Sequence, residues 1–225
     1  MLISILMPCK VFAVDISIGA TTWYAWLEQQ FSSNFIYENQ KEKANPAFLY
    51  GPVLSAKFND DFNLTFIFLY GKFDTKTNTG DVKMTRMDSD LALNYRLNDY
   101  LKIFAGVKYL GYEISDIDHS GAGPGLGLSA TFPIIDNLFL LANLSGFNVW
   151  GRDEYSVSGK PYQTAYYEYG LNSTLSLAYY ITTVSTIISL GGRFQYYNTV
   201  YDDDSSDVKT KFYGVTLMAV YSFSI

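Results

Sequence analysis

The stretch RMDSDLALNYRLNDYLKIFAGVKYLGY, residues 86–112, contains two long segments in which apolar and polar residues alternate. In the first segment the odd-numbered residues form a mainly apolar face, and the even-numbered positions include Asp88, Asp90 and Arg96. The second segment repeats this division, with Lys102 and Lys108 on its polar face. A period of two predicts β-strands. The segments are longer than the usual strand of about five or six residues, and a tight turn at residues 97–99 joins them.

The pairing of these two strands is limited by parity, because directly opposed residues lie on the same face of a sheet. Two registers satisfy this condition near the turn. One places Asp88 opposite Lys108. The other places Asp90 opposite Lys108 and Arg96 opposite Lys102. In both registers Lys108 lies beside the acidic pair. A charge-balanced face backed by an apolar face predicts the inside and outside of a transmembrane β-barrel.

The rest of the chain repeats this alternation, so we predict about ten strands in one domain, residues 14–225. Short turns and long polar segments alternate between the strands, and the long segments include residues 29–45, 73–85 and 151–165. This order predicts a closed, antiparallel, up-and-down barrel with short periplasmic turns and longer extracellular loops. Aromatic residues at both ends of the apolar faces predict girdles at the two lipid interfaces.

The composition agrees with this prediction. The chain has 225 residues, of which 48% are hydrophobic and 17% charged. It has no apolar run of the roughly 18 residues that a membrane-spanning helix needs. The net charge of −6 argues against nucleic acid or an anionic membrane surface as a partner.

The first 13 residues have features of a secretory signal peptide, or of the end of one. An apolar core from Leu2 to Met7 is followed by a small residue at Ala13, although no basic residue precedes the core. Cleavage after Ala13 would remove Cys9, the one cysteine of the chain. Lipidation of Cys9 is an alternative that Pro8 disfavours.

A soluble β-sandwich or lipocalin-like barrel is the alternative fold, and it would turn its charged face outward. The polar face here is mostly Gly, Ser, Thr and Asn with isolated charges, which favours the lumen of a membrane barrel. Gly123, Gly125 and Gly127 form a glycine row that would make room for large lumen side chains. The charged residues predicted to face the lumen are Asp88, Asp90, Arg96, Lys102, Lys108, Glu168 and Arg193.

The chain resembles bacterial outer-membrane β-barrel proteins over its whole length. Its last strand, with Tyr221, Phe223 and Ile225 on one face, is similar to the assembly signal of such proteins, although they usually end in Phe or Trp. The resemblance implies the outer membrane as location. It also implies membrane lipid and the barrel-assembly machinery as partners.

Two weak signals for chemistry are present. Asp88-Ser89-Asp90 and Asp118-His119 resemble the acidic pair and the Asp-His pair of the omptin proteases, but omptins place their Asp two residues before the His. A single histidine in a loop is expected to be solvated, so we predict no catalytic residue and no enzyme. The acidic run Asp202, Asp203, Asp204 and Asp207 could bind Ca²⁺, although solvated loop charge is the favoured interpretation. We predict no cofactor and no other metal.

Two non-enzymatic functions remain open. In the first, which we favour from the sequence, the lumen is a narrow porin-like conduit for ions or small solutes whose selectivity is set by the lumen charges. In the second, the barrel is closed and its extracellular loops bind a partner, as in an adhesin, or lipopolysaccharide. About eight strands give an interior that side chains just fill, so ten strands lie close to the closed limit.

Overall fold

The protein is a closed barrel of ten antiparallel strands in which each strand pairs with its neighbours along the chain and β1 pairs with β10. The computed structural model describes residues 14–33, 40–77, 80–115, 117–157, 159–202 and 206–224. The proposed signal peptide, residues 1–13, lies outside them. The predicted fold class is confirmed. The strands are β1 (Asp15–Ser33), β2 (Gln40–Lys57), β3 (Phe62–Thr77), β4 (Gly80–Arg96), β5 (Leu101–Ile114), β6 (Ile117–Ile135), β7 (Leu138–Val157), β8 (Lys160–Ile181), β9 (Thr186–Tyr201) and β10 (Ser206–Ser224).

The β4–β5 hairpin adopts the second of the two registers that parity allows. Asp90 lies opposite Lys108, and Arg96 lies opposite Lys102. Asn98 fixes the turn, because its side-chain oxygen accepts hydrogen bonds from the backbone N–H groups of Tyr100 and Leu101, both at 2.9 Å. This local bonding is typical of Asn at turns.

The polar segments predicted as long loops are mostly strand. β1 continues to Ser33, β3 to Thr77 and β7 to Val157, although the predicted loops began at residues 29, 73 and 151. The backbone ladder continues past the lipid interface because its hydrogen bonds do not depend on an apolar outer face. Hydrophobic alternation, which is strong only where one face meets lipid, therefore underestimates the length of the strands. The extracellular end consists of hairpins that project beyond the apolar belt.

The outer surface carries the apolar belt that a membrane barrel requires. Large side chains such as Leu126 (66% exposed) and Leu190 (58%) point away from the barrel. Among the described residues no helix is long and apolar enough to cross a membrane. At the extracellular edge of the belt, four aromatic rings pack side by side, with centroids 4.7 to 5.8 Å apart. This aromatic cluster consists of Tyr24, Trp26, Phe48 and Tyr213.

The interior differs between its two halves, and the prediction of a lumen lined mainly by small polar residues with isolated charges holds only for the periplasmic half. There the wall carries small or polar side chains that remain partly exposed, such as Ser55, Thr65 and Ser176. The hydrophobic core lies inside the extracellular half of the barrel and is distinct from the apolar belt on the outer surface. The buried members of this core are Trp23, Ala25, Leu27, Ala44, Leu49, Leu69, Phe73, Met84, Leu110, Tyr112, Phe147, Val149, Tyr197 and Phe212.

Candidate functional site in the barrel lumen

Asp88 is the centre of a buried ion cluster in the extracellular half of the lumen. Its side chain is 1% exposed, and its carboxylate accepts hydrogen bonds from Lys108 Nζ at 2.8 Å and from Arg86 Nη2 at 3.2 Å. Lys108 also donates to Asp90 Oδ1 at 3.0 Å. A buried carboxylate needs such partners, because an unpaired charge away from water costs several kcal/mol.

Arg86 carries this cluster across the lumen. It lies on β4, whereas its partners Tyr197 and Gln195 lie on β9, on the opposite side of the closed strand order. Arg86 donates to Tyr197 Oη at 2.8 Å and to Gln195 Oε1 at 3.2 Å. Its guanidinium also stacks over the ring of Phe212, 4.1 Å from the centroid. One side chain therefore bonds to both walls of the barrel.

Arg193 makes a second crossing in the other direction. It lies on β9, and its Nη2 approaches Asp88 Oδ1 at 3.5 Å and Asp90 Oδ2 at 3.6 Å on β4. Its Nε donates to Asn172 Oδ1 at 3.1 Å, and its guanidinium lies 4.6 Å from the ring centre of Trp23. Ionic and aromatic contacts thus hold this arginine between three parts of the wall.

His119 forms the centre of a second buried cluster, and it is not the solvated loop residue expected from the sequence. It lies on β6 with 0% exposure. Its Nδ1 is 2.5 Å from Asp153 Oδ1, and its Nε2 is 3.2 Å from Glu168 Oε1. The imidazole is sandwiched between the rings of Tyr112 and Tyr166, each with its centroid at 3.9 Å. Ionised carboxylates only accept hydrogen bonds, so when both are ionised both ring nitrogens act as donors and the ring is an imidazolium.

The carboxylates around His119 have further donors. Tyr201 Oη donates to Asp153 Oδ2 at 2.9 Å, and Thr199 Oγ1 donates to Glu168 Oε1 at 2.8 Å. The two clusters together contain four cations and four anions, so their formal charges cancel. These residues are Arg86, Lys108, His119 and Arg193, with Asp88, Asp90, Asp153 and Glu168. We call these eight side chains the lumen plug.

The seven charged residues predicted to face the lumen do not form one group. Asp88, Asp90, Lys108 and Arg193 come together, and Glu168 belongs to the His119 cluster. Arg96 and Lys102 lie at the periplasmic end of the lumen face. There Arg96 approaches two carboxylates of the turns, Asp61 at 3.9 Å and Asp99 at 3.6 Å.

The predicted glycine row lies on the lumen side of β6. Gly123 lies opposite Lys108, and Gly127 lies opposite Phe104. The ring of Phe104 covers Gly127 so closely that a methyl group there would collide with it. A methyl carbon added at Gly125 would have its nearest neighbouring atom at 3.6 Å, an ordinary contact distance.

Arg86, His119 and Asp153 are plug residues that the sequence reasoning missed. Each is on the lumen side by simple parity: Arg86 is two positions before Asp88, and His119 is two positions before Gly121. Arg86 already lies in the stretch 86–112, and extending the alternation into the supposed loops would have identified His119 and Asp153. Their partners on distant strands, however, leave no signal in local spacing.

The two weak chemical signals have different outcomes. Asp118 and His119 are neighbours in one strand and point to opposite faces, with Asp118 exposed and His119 buried. Asp203 and Asp204 of the acidic run lie outside the described residues, and Asp202 and Asp207 are exposed beside that gap. Within the described ranges no group of three His, Cys, Asp or Glu side chains is arranged to hold a metal ion.

Comparison of the structure with solved proteins identifies the architecture. The outer-membrane protease OmpT of Escherichia coli aligns with a TM-score of 0.59 at 10% identity, covering 94% of this chain and 97% of that chain. The fold is that of a bacterial outer-membrane β-barrel. The outer-membrane protein AlkL, solved in lipid bilayers, aligns with a TM-score of 0.51 at 10% identity, covering 94% of this chain and 90% of that chain. No protein-family model and no curated protein matches the sequence.

This likeness agrees with the apolar belt and the aromatic cluster, and together they place the barrel in the outer membrane. At 10% identity the alignments indicate the fold and do not indicate a function.

Proposed function

We propose that the protein is a closed outer-membrane barrel that works as a binding protein through its projecting extracellular surface. The observation that carries this proposal is the pair of crossings from one wall of the lumen to the other, made by Arg86 through hydrogen bonds and by Arg193 through ion pairs. Aromatic contacts fill the space around them, for example between Phe73 on β3 and Phe212 on β10 at 5.7 Å. This packing supports a sealed lumen rather than the conduit that the sequence analysis favoured.

The extracellular hairpins give such a barrel a surface to bind with. The β7–β8 hairpin extends beyond Trp150 of the lipid interface to Val157 and returns from Lys160. Near its tip Tyr155 stacks on Tyr162, whose side chain is 46% exposed, with ring centroids 5.9 Å apart. A filled, ion-paired lumen gives these projections a rigid base.

Solute entry into liposomes tests the sealed lumen. Purified barrel reconstituted in liposomes should admit a small neutral sugar no faster than protein-free liposomes do. A refolded sample of a known porin at the same protein-to-lipid ratio serves as the positive control. Swelling that grows with the amount of barrel added would favour the conduit and overturn the proposal.

A further inference from the structure

Four lysines form a compact basic patch on the outer face of the barrel, just beyond the apolar belt. Lys211 on β10 and Lys43 on β2 lie on either side of Glu28 on β1 in one row. In the next row, two residues further from the membrane, Lys209 and Lys41 lie on either side of Gln30. Strands are about 4.8 Å apart and two residues rise about 6.7 Å, so the four Cα atoms outline an area of about 10 by 7 Å. We call these four lysines the basic belt.

The basic belt begins where the aromatic cluster ends. Trp26 and Tyr213 stack at 5.8 Å, and Tyr213 Oη donates to Glu28 Oε1 at 3.2 Å. Because Trp and Tyr at the edge of an apolar belt mark the level of the lipid headgroups, the lysines above them lie at headgroup height. A ligand in this position is a component of the membrane surface rather than a solute in the medium.

The basic belt keeps most of its positive charge. Glu28 forms an ion pair with Lys43 at 2.7 Å, and this hydrogen bond lowers the pKa of the Glu28 carboxyl below its usual value. The other three lysines, Lys41, Lys209 and Lys211, are exposed, and none of them forms an ion pair with a described residue. The four lysines and Glu28 together carry a surplus of three positive charges on a chain whose net charge is −6. The next carboxylate on this face, the exposed Asp207, lies two residues beyond Lys209 on β10.

The opposite side of the barrel has the opposite charge. On β5, β6 and β7 three exposed carboxylates lie side by side, because Glu113 is opposite Asp118 and Asp118 is opposite Glu154. In the closed order β6 is as far from β1 as a strand can be. The four lysines and these three carboxylates therefore lie on opposite sides of the barrel.

We propose that the basic belt binds the phosphate groups of an outer-leaflet glycolipid of the lipid A type. Clusters of lysines at a membrane surface recognise anionic headgroups, and lysine binds phosphate as a compact point charge. The aromatic cluster below them contacts the acyl region of the same lipid. This inference rests on the proposed role of the extracellular surface and names one partner of it.

Native mass spectrometry of the detergent-solubilised barrel with bisphosphorylated lipid A tests this proposal. The variant K41Q/K209Q/K211Q should bind lipid A at least about tenfold more weakly than the wild type. The control K83Q/R152Q/K160Q removes the same number of exposed positive charges elsewhere and should bind as the wild type does. Dephosphorylated lipid A should bind the wild type as weakly as the phosphorylated form binds the belt variant.

Three outcomes would overturn the proposal: equal loss in both triple variants, no loss in the belt variant, or full competition by millimolar inorganic phosphate. The first would indicate general charge attraction, and the last would indicate a soluble anion as ligand. Heat-modified electrophoretic mobility confirms that each variant is folded. Solute entry measured on the same preparations separates a failure of this inference from a failure of the sealed lumen.

Discussion

At the scale of single residues, His119 shows how the barrel holds charge in its interior. Its two nitrogens face two carboxylates, and its two ring faces meet two tyrosines. Every side of the imidazole therefore has a partner. A phenyl ring has a similar shape, but it cannot make these two hydrogen bonds.

The substitution His119→Phe should destabilise the barrel by about 3 to 5 kcal/mol, because it leaves Asp153 and Glu168 buried without their cation. Urea unfolding in phospholipid vesicles, followed by electrophoretic mobility, measures this change. The variant H119F/D153N/E168Q removes the stranded charges as well and should recover part of the loss. If H119F unfolds within about 0.5 kcal/mol of wild type, the size of an ordinary surface substitution, the ion cluster has no structural role.

Asp88 and Asp90 differ in burial although they are two residues apart and both contact Lys108. The Asp88 side chain is 1% exposed and that of Asp90 is 30% exposed. Asp88→Asn should therefore cost about 3 to 5 kcal/mol, because three cations lose their central anion. Asp90→Asn should cost about 1 kcal/mol or less, since water screens its interactions.

The same urea titration measures both aspartate variants, and Asp90→Asn is the matched control for Asp88→Asn. Equal costs would contradict the assignment of Asp88 as the centre of the plug. A larger cost for Asp90→Asn would make Asp90, and not Asp88, the centre of this ion cluster.

At the scale of the elements, β6 shows why a glycine row is useful in a narrow barrel. Gly127 lies under the ring of Phe104, and a methyl group added to Gly127 would also be 2.6 Å from the carbonyl oxygen of Leu144. Gly125 has ordinary contacts at 3.6 and 3.8 Å. The two glycines share a strand and a face but differ in the space around them.

Gly127→Ala should therefore lower the free energy of unfolding by about 1 to 3 kcal/mol, as overpacking does. Gly125→Ala should have little effect, and it controls for the change in backbone entropy. Unfolding midpoints of the two variants provide the comparison. If Gly125→Ala is the less stable variant, contact with the Phe104 ring is not the reason that position 127 requires a glycine.

The elements also show what the sequence could predict. Alternation identified all ten strands and the face of each that meets lipid, because the lipid imposes a strict period of two. It misplaced the extracellular strand ends, where both faces of a projecting hairpin are polar. It left two registers for β4 and β5, since a shift of two residues preserves parity.

At the scale of the whole molecule, the contacts that cross the lumen could not be predicted from the sequence. Parity shows that Arg86 and Arg193 face inward, but not that each reaches the opposite wall. That result depends on the diameter of the closed barrel and on residues more than a hundred positions away. The same dependence explains why Glu168 was grouped with Asp88 rather than with His119.

The central claim is that the lumen plug closes the barrel, and single-channel recording in planar bilayers tests it most directly. The wild-type barrel should show no discrete conductance steps, and a folded R86A/R193A variant, which lacks both crossings, should show them. Wild-type steps that disappear when Arg193 is neutralised would contradict the account and establish a conduit through the lumen.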